Sequence, residues 1–306
     1  MTNGVTYLTI DATSEGQRID NFLMTHFKGV PKSHVYQILR SGQVRVNKKR
    51  VKPLYRIVSG DVLRLPPVRH TETKPRPAHP DALVQLEQSI LFEDADILVI
   101  NKPAGLAVHG GSGLSWGVIE AFRQLRPQAK ALELVHRLDR DTSGVLLLAK
   151  KRSVLKHLHE LFRDQGMKKT YLCVVKGRFL EAEHEVNVPL SKNTLRSGER
   201  IARADPNGKP SSTLFTPVDV FSQVSVLKAE PATGRTHQIR VHAAVAGFPI
   251  VGDSKYGDFA FNRECQTHGV SRLFLHAYRL QWDTNDWVAP LSEDWQAGVR
   301  ILQELA

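Results

Sequence analysis

The 306-residue chain has little of what disulfide scaffolds, zinc modules and membrane proteins require. Its two cysteines, Cys173 and Cys265, provide neither a disulfide framework nor the spacing of a zinc ribbon, which indicates a reducing compartment. No apolar run approaches the roughly 18 residues that a membrane helix needs. The first residues show no basic start followed by an apolar stretch, as a secretory signal would. We therefore expect a cytoplasmic protein with no membrane association.

A nucleotide-cofactor motif is also missing. The stretch His109–Gly113 is rich in glycine, but the glycines at 111, 113 and 117 do not have the spacing of a dinucleotide fingerprint. No Walker lysine follows them. We expect this stretch to form a mobile loop beside a cleft, and we expect no small-molecule cofactor.

Acidic residues are too few to balance the basic ones: 31 Asp and Glu face 42 Lys and Arg, for a formal net charge of +11. Residues 15–70 alone contain twelve Lys and Arg against three Asp and Glu. Such a cluster favours a phosphate-binding surface, although the same charges could merely solvate a small fold. The candidate phosphate-binding residues are Arg18, Lys32, Arg40, Arg45, Lys48, Lys49 and Arg50; the other cations are Lys28, Lys52, Arg56, Arg64 and Arg69.

Residues 15–70 have the pattern of a small α+β domain. Apolar residues at helical spacing predict one helix within residues 17–27 and a second short helix that begins near Lys32. Alternating apolar residues then predict two short strands and a basic turn. The strands are expected at 43–46 and 62–65, and the turn at Asn47–Arg50.

The next segment is poor in large apolar residues and carries five prolines between Pro66 and Pro80, which predicts an extended linker at residues 71–86. A second domain is then expected at residues 87–306. Helices are predicted at 152–165 and 238–246, and strands at 97–100, 145–149, 171–175, 213–221, 224–229 and 273–282. Strands that follow one another without regular helical crossovers indicate an α+β fold with a mainly antiparallel or mixed sheet.

The most reactive combination of side chains lies at residues 136–144, directly before the apolar run Val145–Ala149. The string His-Arg-Leu-Asp-Arg-Asp-Thr-Ser-Gly places two carboxylates, two guanidiniums and an imidazole on a turn at the start of a strand. Its last four residues are ordinary turn formers, so a purely structural loop is the alternative. The charge pattern favours an active site, because Arg137 and Arg140 bracket Asp139 and would keep its carboxylate ionised.

This string resembles the signature of the RNA pseudouridine synthases that modify ribosomal large-subunit RNA. Two further segments match motifs of that family: Lys169–Tyr171, which leads into Leu172–Val175, and Gly234–His242. The resemblance runs from about residue 88 to the C-terminal region, and the first 70 residues resemble an S4-type RNA-binding domain. It implies a small S4-like α+β module followed by a catalytic domain whose mainly antiparallel mixed sheet is flanked by helices.

The resemblance also implies catalytic residues. Asp139 occupies the position of the family's catalytic carboxylate, whereas Asp141 does not. Arg240 is implied as the ion-pair partner that positions Asp139, with Arg235 as the less favoured candidate. Tyr171 would stack on the uracil and take part in the late removal of the proton from C5.

Further contacts to the substrate are implied for His136, Arg137, Ile239 and Arg235. Ile239 would pack on the face of the base opposite Tyr171, and Arg137 would enter the RNA stack or contact phosphate once the uridine is flipped out. We expect large-subunit ribosomal RNA as the partner, bound in part by the cations of residues 15–70. We further expect a monomer that needs neither a metal nor a cofactor.

Two other functions remain open on the sequence. A metal-dependent nuclease would draw on the histidine pairs His157/His159 and His237/His242, but residues two apart on a helix point in different directions and neither pair lies in a known ligand motif. A non-catalytic RNA-binding or ribosome-assembly protein would explain the basic segment. It would leave the cluster at residues 136–144 without a purpose.

Overall fold

The computed structural model describes residues 4–27, 30–68, 77–110, 116–194 and 200–305. The chain divides into two compact units, residues 1–75 and 76–306. Across the described ranges we find no helix with the length and apolar character that a bilayer crossing would take. The predicted glycine-rich loop falls largely on residues 111–115, which lie outside these ranges.

In its described residues, the first unit contains two α-helices, a short 3-10 helix (Ala12–Ser14) and a three-stranded antiparallel sheet in the order β1-β3-β2. Both predicted helices and both predicted strands are confirmed, with slightly shorter bounds. The sequence pattern did not reveal β1, because its residues are mostly exposed and do not alternate clearly. The elements are β1 (Thr6–Thr9), α1 (Ile19–His26), α2 (Lys32–Arg40), β2 (Arg45–Val46) and β3 (Val62–Leu65).

The core of this unit forms where the apolar faces of α1 and α2 meet the sheet. Leu23, Val35 and Leu63 are fully buried there. The basic turn after β2 is confirmed: Asn47 and Lys48 both have positive φ, 49° and 67°. A two-residue turn of this kind reverses the chain tightly and leaves its side chains on the surface.

The second unit is built on a ten-stranded mixed sheet, with a separate two-stranded hairpin of β10 and β11. The main path of the sheet runs β4-β5-β7-β14-β8-β13-β12-β9, and β6 and β15 pair with β7 and β14. The strands are β4 (Ile90–Glu93), β5 (Ile97–Lys102), β6 (Glu133–Leu134), β7 (Ser143–Ala149), β8 (Lys168–Lys176), β9 (His184–Asn187), β10 (Leu190–Thr194), β11 (Arg200–Ala204), β12 (Ser212–Val220), β13 (Val224–Pro231), β14 (Leu275–Trp282) and β15 (Asn285–Val288).

Six helices accompany this sheet in the described ranges. Apolar clusters fill the space between sheet and helices. One of them combines Phe122, in the helix at Val118–Leu125, with Leu146 of β7. The helices are α3 (Pro80–Gln88), α4 (Val118–Leu125), α5 (Arg152–Arg163), α6 (Gln238–Val245), α7 (Phe259–Thr267) and α8 (Glu293–Glu304). The predicted helices at 152–165 and 238–246 are thereby confirmed, and so are the six predicted strands.

The predicted linker at residues 71–86 is wrong from residue 80 onward, because α3 begins at Pro80. Proline is tolerated in the first turn of a helix, where its missing N–H has no partner to lose. His79 caps this helix by accepting a hydrogen bond from the Asp81 N–H, and Leu86 is buried. The linker residues 71–76 lie outside the described ranges, and the boundaries of the two domains stay a prediction.

A parallel pairing of β7 and β14 joins the two halves of the sheet, with Gly144 opposite Ala277. The same rung continues from Lys102 of β5 through Gly144 and Ala277 to Tyr171 of β8. Gly144 has a φ of 112°, and a Cβ there would lie 2.2 Å from the carbonyl oxygen of Ala277. Only glycine lets the two strands approach this closely.

We expect Gly144→Ala to destabilise the second unit by more than about 4 kcal/mol, because the new methyl group would force β7 away from β14. Gly269→Ala is the matched control: Gly269 also has a positive φ, 81°, but has open space around its Cα, so the loss should be about 1–2 kcal/mol. Urea unfolding followed by tryptophan fluorescence measures both, since all four tryptophans lie in the second unit. Equal losses would contradict the role of the close approach.

Candidate active site

The loop that carries Asp139 joins β6 to β7, and a buried lysine donates a hydrogen bond to its backbone. The Lys102 side chain is fully buried, and its Nζ donates hydrogen bonds to the carbonyl oxygens of Pro103, Leu106 and Arg140 at 2.8–2.9 Å. Burial lowers the pKa of Lys102 to about 7, although Asp141 and Asp139 act in the opposite direction. In the sequence, Lys102 lies two residues after the predicted strand at 97–100 and belongs to none of the motifs.

Asp139 contacts Arg240, the arginine of the motif at Gly234–His242. The Arg240 Nη1 donates to Asp139 Oδ2 at 3.0 Å, although the two residues are 101 positions apart. The Asp139 side chain is 30% exposed and that of Arg240 is 6% exposed. The carboxylate is therefore accessible from solvent, whereas the guanidinium that contacts it is buried. Arg235, the other candidate, makes no such contact and instead donates from Nε to the carbonyl oxygen of Pro210 at 3.3 Å.

A second carboxylate fixes the orientation of Arg240. Asp253 has no exposed side-chain surface and accepts from Arg240 Nε and Nη2, both at 2.7 Å. It also accepts from the backbone N–H groups of Lys255 and Tyr256 at 2.8 and 3.1 Å. Burial raises the pKa of Asp253, but the hydrogen bonds and the charge of Arg240 outweigh burial and hold the pKa below its usual range.

His237 is a further neighbour of Asp139, with its Nε2 3.7 Å from Asp139 Oδ1. It precedes α6 in the left-handed backbone conformation. The Tyr256 hydroxyl oxygen accepts from the Ala202 N–H at 2.8 Å and lies 2.7 Å from His237 Nδ1, to which it can donate. Such a bond leaves the proton of the neutral imidazole on Nε2, which faces Asp139. Burial lowers the pKa of His237, so this neutral form prevails at neutral pH.

The sequence analysis missed Asp253, Tyr256 and the contact of His237 with Asp139. Asp253 and Tyr256 lie in a loop after α6 that has no periodic pattern and no local cluster of reactive residues. The available signal was the string Gly-Asp-Ser-Lys-Tyr-Gly at residues 252–257, in which glycines bracket an acid and a tyrosine. Gly252 has a φ of 75°, and a Cβ there would meet the Arg272 carbonyl oxygen, so this loop requires glycine.

A small pocket of about 100 Å³ opens above Asp139. Tyr171 lines one wall, and Ile239 of α6 also faces the pocket. Burial raises the pKa of Tyr171 above its usual range, and Asp139 adds to this effect, so the phenol stays protonated at neutral pH. Apolar side chains, an aromatic ring and one carboxylate therefore converge on a space that can hold a planar ring.

Two of the predicted substrate-binding arginines, Arg137 and Arg235, also line this pocket, whereas His136 does not. The His136 ring lies 4.9 Å from the ring of Phe162, and its Nε2 accepts from the Leu147 backbone N–H at 3.1 Å. Burial lowers the pKa of His136 to about 3. The structure thus brings Asp139, Tyr171, Ile239, Arg240, Arg137 and Arg235 together and leaves His136 in an adjoining groove.

The candidate RNA-binding cations of the first unit differ in their partners. Arg18 is committed to the buried Asp20, which accepts from its Nε at 3.1 Å and from its Nη2 at 2.5 Å. The other six are exposed, and within the described ranges none of them forms an ion pair with a carboxylate. These six are Lys32, Arg40, Arg45, Lys48, Lys49 and Arg50.

The histidine pairs considered for a nuclease do not converge. His157 and His159 are both exposed on α5. His242 is fully buried and is bonded to Thr213, Ser211 and the Val188 carbonyl oxygen. In the part of the chain that the structure describes, no group of three or more His, Cys, Asp or Glu side chains is arranged to hold a metal ion.

Comparisons with known proteins agree on one family. The model of the RNA pseudouridylate synthase family matches residues 96–245, and the S4 domain model matches residues 17–63. Proteins named ribosomal large subunit pseudouridine synthase C are 53% identical in Pasteurella multocida and 54% identical in Escherichia coli K12. These matches cover 91% and 92% of this chain and 86% and 89% of the relatives.

Solved structures show the same fold. Human RNA pseudouridylate synthase domain containing 4 superimposes with a TM-score of 0.61 at 24% identity, over 72% of this chain and 95% of that one. Human RNA pseudouridylate synthase domain containing 1 gives a TM-score of 0.58 at 26% identity, over 72% and 90%. The predicted fold class, an S4-like module followed by a catalytic domain with a mainly antiparallel mixed sheet, is confirmed.

We expect Asp253→Asn to destabilise the protein by about 3–5 kcal/mol, because it removes the charge that compensates the buried Arg240. The lowered pKa of Asp253 stabilises the fold above the ordinary value of 3.8, and this stabilisation is lost as the pH falls below it. The variant should therefore also show a flatter loss of stability in acid. Urea unfolding at several pH values measures both effects.

Asp286→Asn is the matched control, because it removes one partner of another bidentate Asp–Arg pair, with Arg279, in which both side chains are about 40% exposed. We expect it to change stability little. A loss in Asp253→Asn no larger than in this control would show that Arg240 does not depend on Asp253.

Proposed function

The chain belongs to the RNA pseudouridylate synthase family, and on that basis we propose that it isomerises specific uridines of large-subunit ribosomal RNA to pseudouridine with Asp139 as the essential carboxylate. The observation that carries the assignment of Asp139 is its position at the mouth of the pocket, 3.0 Å from the buried Arg240 and among residues that also include Tyr171. The relatives named for the large ribosomal subunit support this RNA as the substrate.

The reaction breaks the bond between uracil N1 and ribose C1′, turns the base, and forms a bond between C5 and C1′. The C5 proton is lost and N1 gains one, so the reaction is balanced without a redox change. Asp139 can attack C1′, attack the base, or remove a ribose proton to form a glycal. All three routes need an ionised carboxylate next to a base that the pocket retains until it recombines.

The charges around Asp139 suit this demand. Arg240 donates to Asp139, but its charge is already compensated by Asp253, so an ionised Asp139 gives the three groups together a net charge of −1. His237 can offer a neutral donor on the other side of the carboxylate. Asp139 is therefore oriented from two sides by groups whose own charges do not cancel that of its ionised carboxylate.

We assign the base to the space between Tyr171 and Ile239. The Tyr171 ring would offer a stacking platform, and its hydroxyl would take part in the late removal of the proton from C5. Ile239 would contact the base from its other side. Arg137 is exposed at the rim and is our candidate for the side chain that replaces the flipped uridine or holds its phosphate.

The surroundings of the site support the wider proposal. Every group in this scheme comes from described residues of one chain, so we propose that the protein acts as a monomer and without a cofactor. We propose the cytoplasm as its location, since ribosomal RNA of the bacterial relatives is found there. The S4 domain at residues 17–63 would add affinity for structured RNA through its exposed cations.

We expect Asp139→Asn to lower the rate of pseudouridine formation by about 10³-fold or more while RNA binding is retained, because the side chain keeps its size and loses its charge. Asp141→Asn is the matched control: Asp141 is two residues away and pairs with Arg140 at 2.9 Å on the surface, and this variant should keep most of the activity. Mapping pseudouridine in ribosomal RNA from cells that carry only one variant decides the matter. Modified RNA in the Asp139→Asn cells would contradict the assignment.

We expect the triple variant Lys48→Gln, Lys49→Gln, Lys52→Gln to bind ribosomal RNA with a salt dependence that is flatter by about two units of slope in log Kd against log salt, because each phosphate contact contributes about 0.7–0.9. These lysines are exposed on the first unit. The control is Lys130→Gln, Arg263→Gln, Arg300→Gln, which removes the same charge from exposed positions on the second unit. If both variants give one slope, the S4 domain is not the phosphate-binding surface.

A further inference from the structure

A second cavity adjoins the active-site pocket. We call it the basic groove; its volume is about 640 Å³, and its walls include Arg137, Arg163, Lys169, Arg235 and Arg279. No Asp or Glu lines it in the part of the chain that the structure describes. Arg163 and Arg279 pair with Asp164 and Asp286, which do not line the groove. Arg137, Lys169 and Arg235 are the cations that can raise the local concentration of an anion there.

Lys169 distinguishes this groove from an ordinary basic surface. Its Nζ donates one long hydrogen bond, 3.4 Å, to the Thr233 carbonyl oxygen. Within the described ranges no carboxylate lies within ion-pair distance of Lys169, Arg137 or Arg235. The lysine is half-buried, and burial lowers its pKa. A partly desolvated cation without a counter-ion lacks the partner that such groups normally have.

The neighbouring lysine shows the contrast. Lys168 precedes Lys169 on β8 and points to the opposite face of the sheet, as alternate residues of a strand do. Its side chain is 67% exposed and pairs with Glu230 at 3.6 Å. Lys169 instead shares the face of Tyr171, two residues on, so its ammonium group lies beside the site of the reaction.

The groove also contains an aromatic surface. The rings of His136 and Phe162 lie 4.9 Å apart with 30° between their planes, and both residues line the groove. His136 is neutral at physiological pH, since burial lowers its pKa to about 3. An uncharged aromatic pair can stack on a base while the neighbouring cations bind the attached phosphate.

The basic groove and the active-site pocket share a wall. Arg137, Tyr171, Gly234 and Arg235 line both. A nucleotide in the groove would therefore lie beside a nucleotide whose base enters the pocket.

We propose that the basic groove is a second nucleotide site, which holds the nucleotide adjacent to the flipped uridine, with its phosphodiester on Lys169 and its base against His136 and Phe162. The inference rests on the proposed function, because it takes RNA as the ligand. It gives His136 a place at the substrate without a contact to the reacting base.

The test compares Lys169→Met with Lys168→Met in the full chain, using 23S ribosomal RNA transcribed in vitro as the probe. We expect Lys169→Met to weaken binding on the order of tenfold and to reduce the slope of log Kd against log salt by about 0.7–0.9, the value for one phosphate contact. Lys168→Met should leave both unchanged, and Lys169→Arg should restore the slope. An unchanged slope in Lys169→Met would overturn the proposal.

A second measurement starts from the wild-type protein, so its first arm does not depend on how a variant folds. Single methylphosphonate linkages, which lack the phosphate charge, are placed in turn around the target uridine of a short RNA. We expect one adjacent linkage to weaken binding of the wild-type protein and to have no further effect on Lys169→Met. If every linkage weakened binding of the wild-type protein and of Lys169→Met by the same factor, the site would be refuted. If the wild-type protein forms no pseudouridine, the proposed function fails, whereas product formation with an unchanged slope contradicts the groove alone.

Discussion

The active site depends on the bidentate ion pair between Asp253 and Arg240, which fixes the orientation of the guanidinium. The two bonds from Nε and Nη2 to one carboxylate fix the plane of the guanidinium, so that Nη1 can point only toward Asp139. A lysine could not do this, because an ammonium group is a single point charge that rotates freely on a flexible stem. Burial of Arg240 and Asp253 is costly, but each satisfies the other, and Asp253 Oδ1 also accepts from two backbone N–H groups.

The sheet sets the distances between these groups and Tyr171. One rung of hydrogen-bonded neighbours passes from Lys102 through Gly144 and Ala277 to Tyr171. Lys102 holds the loop of Asp139 at one end of the rung, and Tyr171 lies two strands from Gly144, about 10 Å at the usual spacing between strands. The loop of Asp139 and the side chain of Tyr171 are thus fixed to one sheet, and a change in the β7–β14 approach would alter the distance between them.

Groups that lie within one short string could be predicted from the sequence, and groups that meet only through the fold could not. Asp139, Tyr171 and Arg240 each belong to a contiguous motif, and the long strands and amphipathic helices have clear periodicity. Asp253 follows Gly252 in a loop, and His237 directly precedes α6. Neither residue lies in a helix or strand, so no hydrophobic periodicity marks either position. The helix at Pro80 was missed because proline and polar residues suggested a linker, although proline is favourable at a first helical turn.

The placement of charge reconciles two opposite demands on this site. An RNA-binding surface must be positive, yet the carboxylate at its centre must remain negative and free to react. The cations without carboxylate partners, Arg137, Lys169 and Arg235, lie along the pocket and the groove beside it, where phosphates can reach them. The cation nearest to Asp139 is different, because Arg240 is buried and already bound to Asp253. Phosphate can therefore bind at the rim without competing for Arg240, the arginine that orients the carboxylate. The carboxylate keeps its orientation although the surrounding surface is positive.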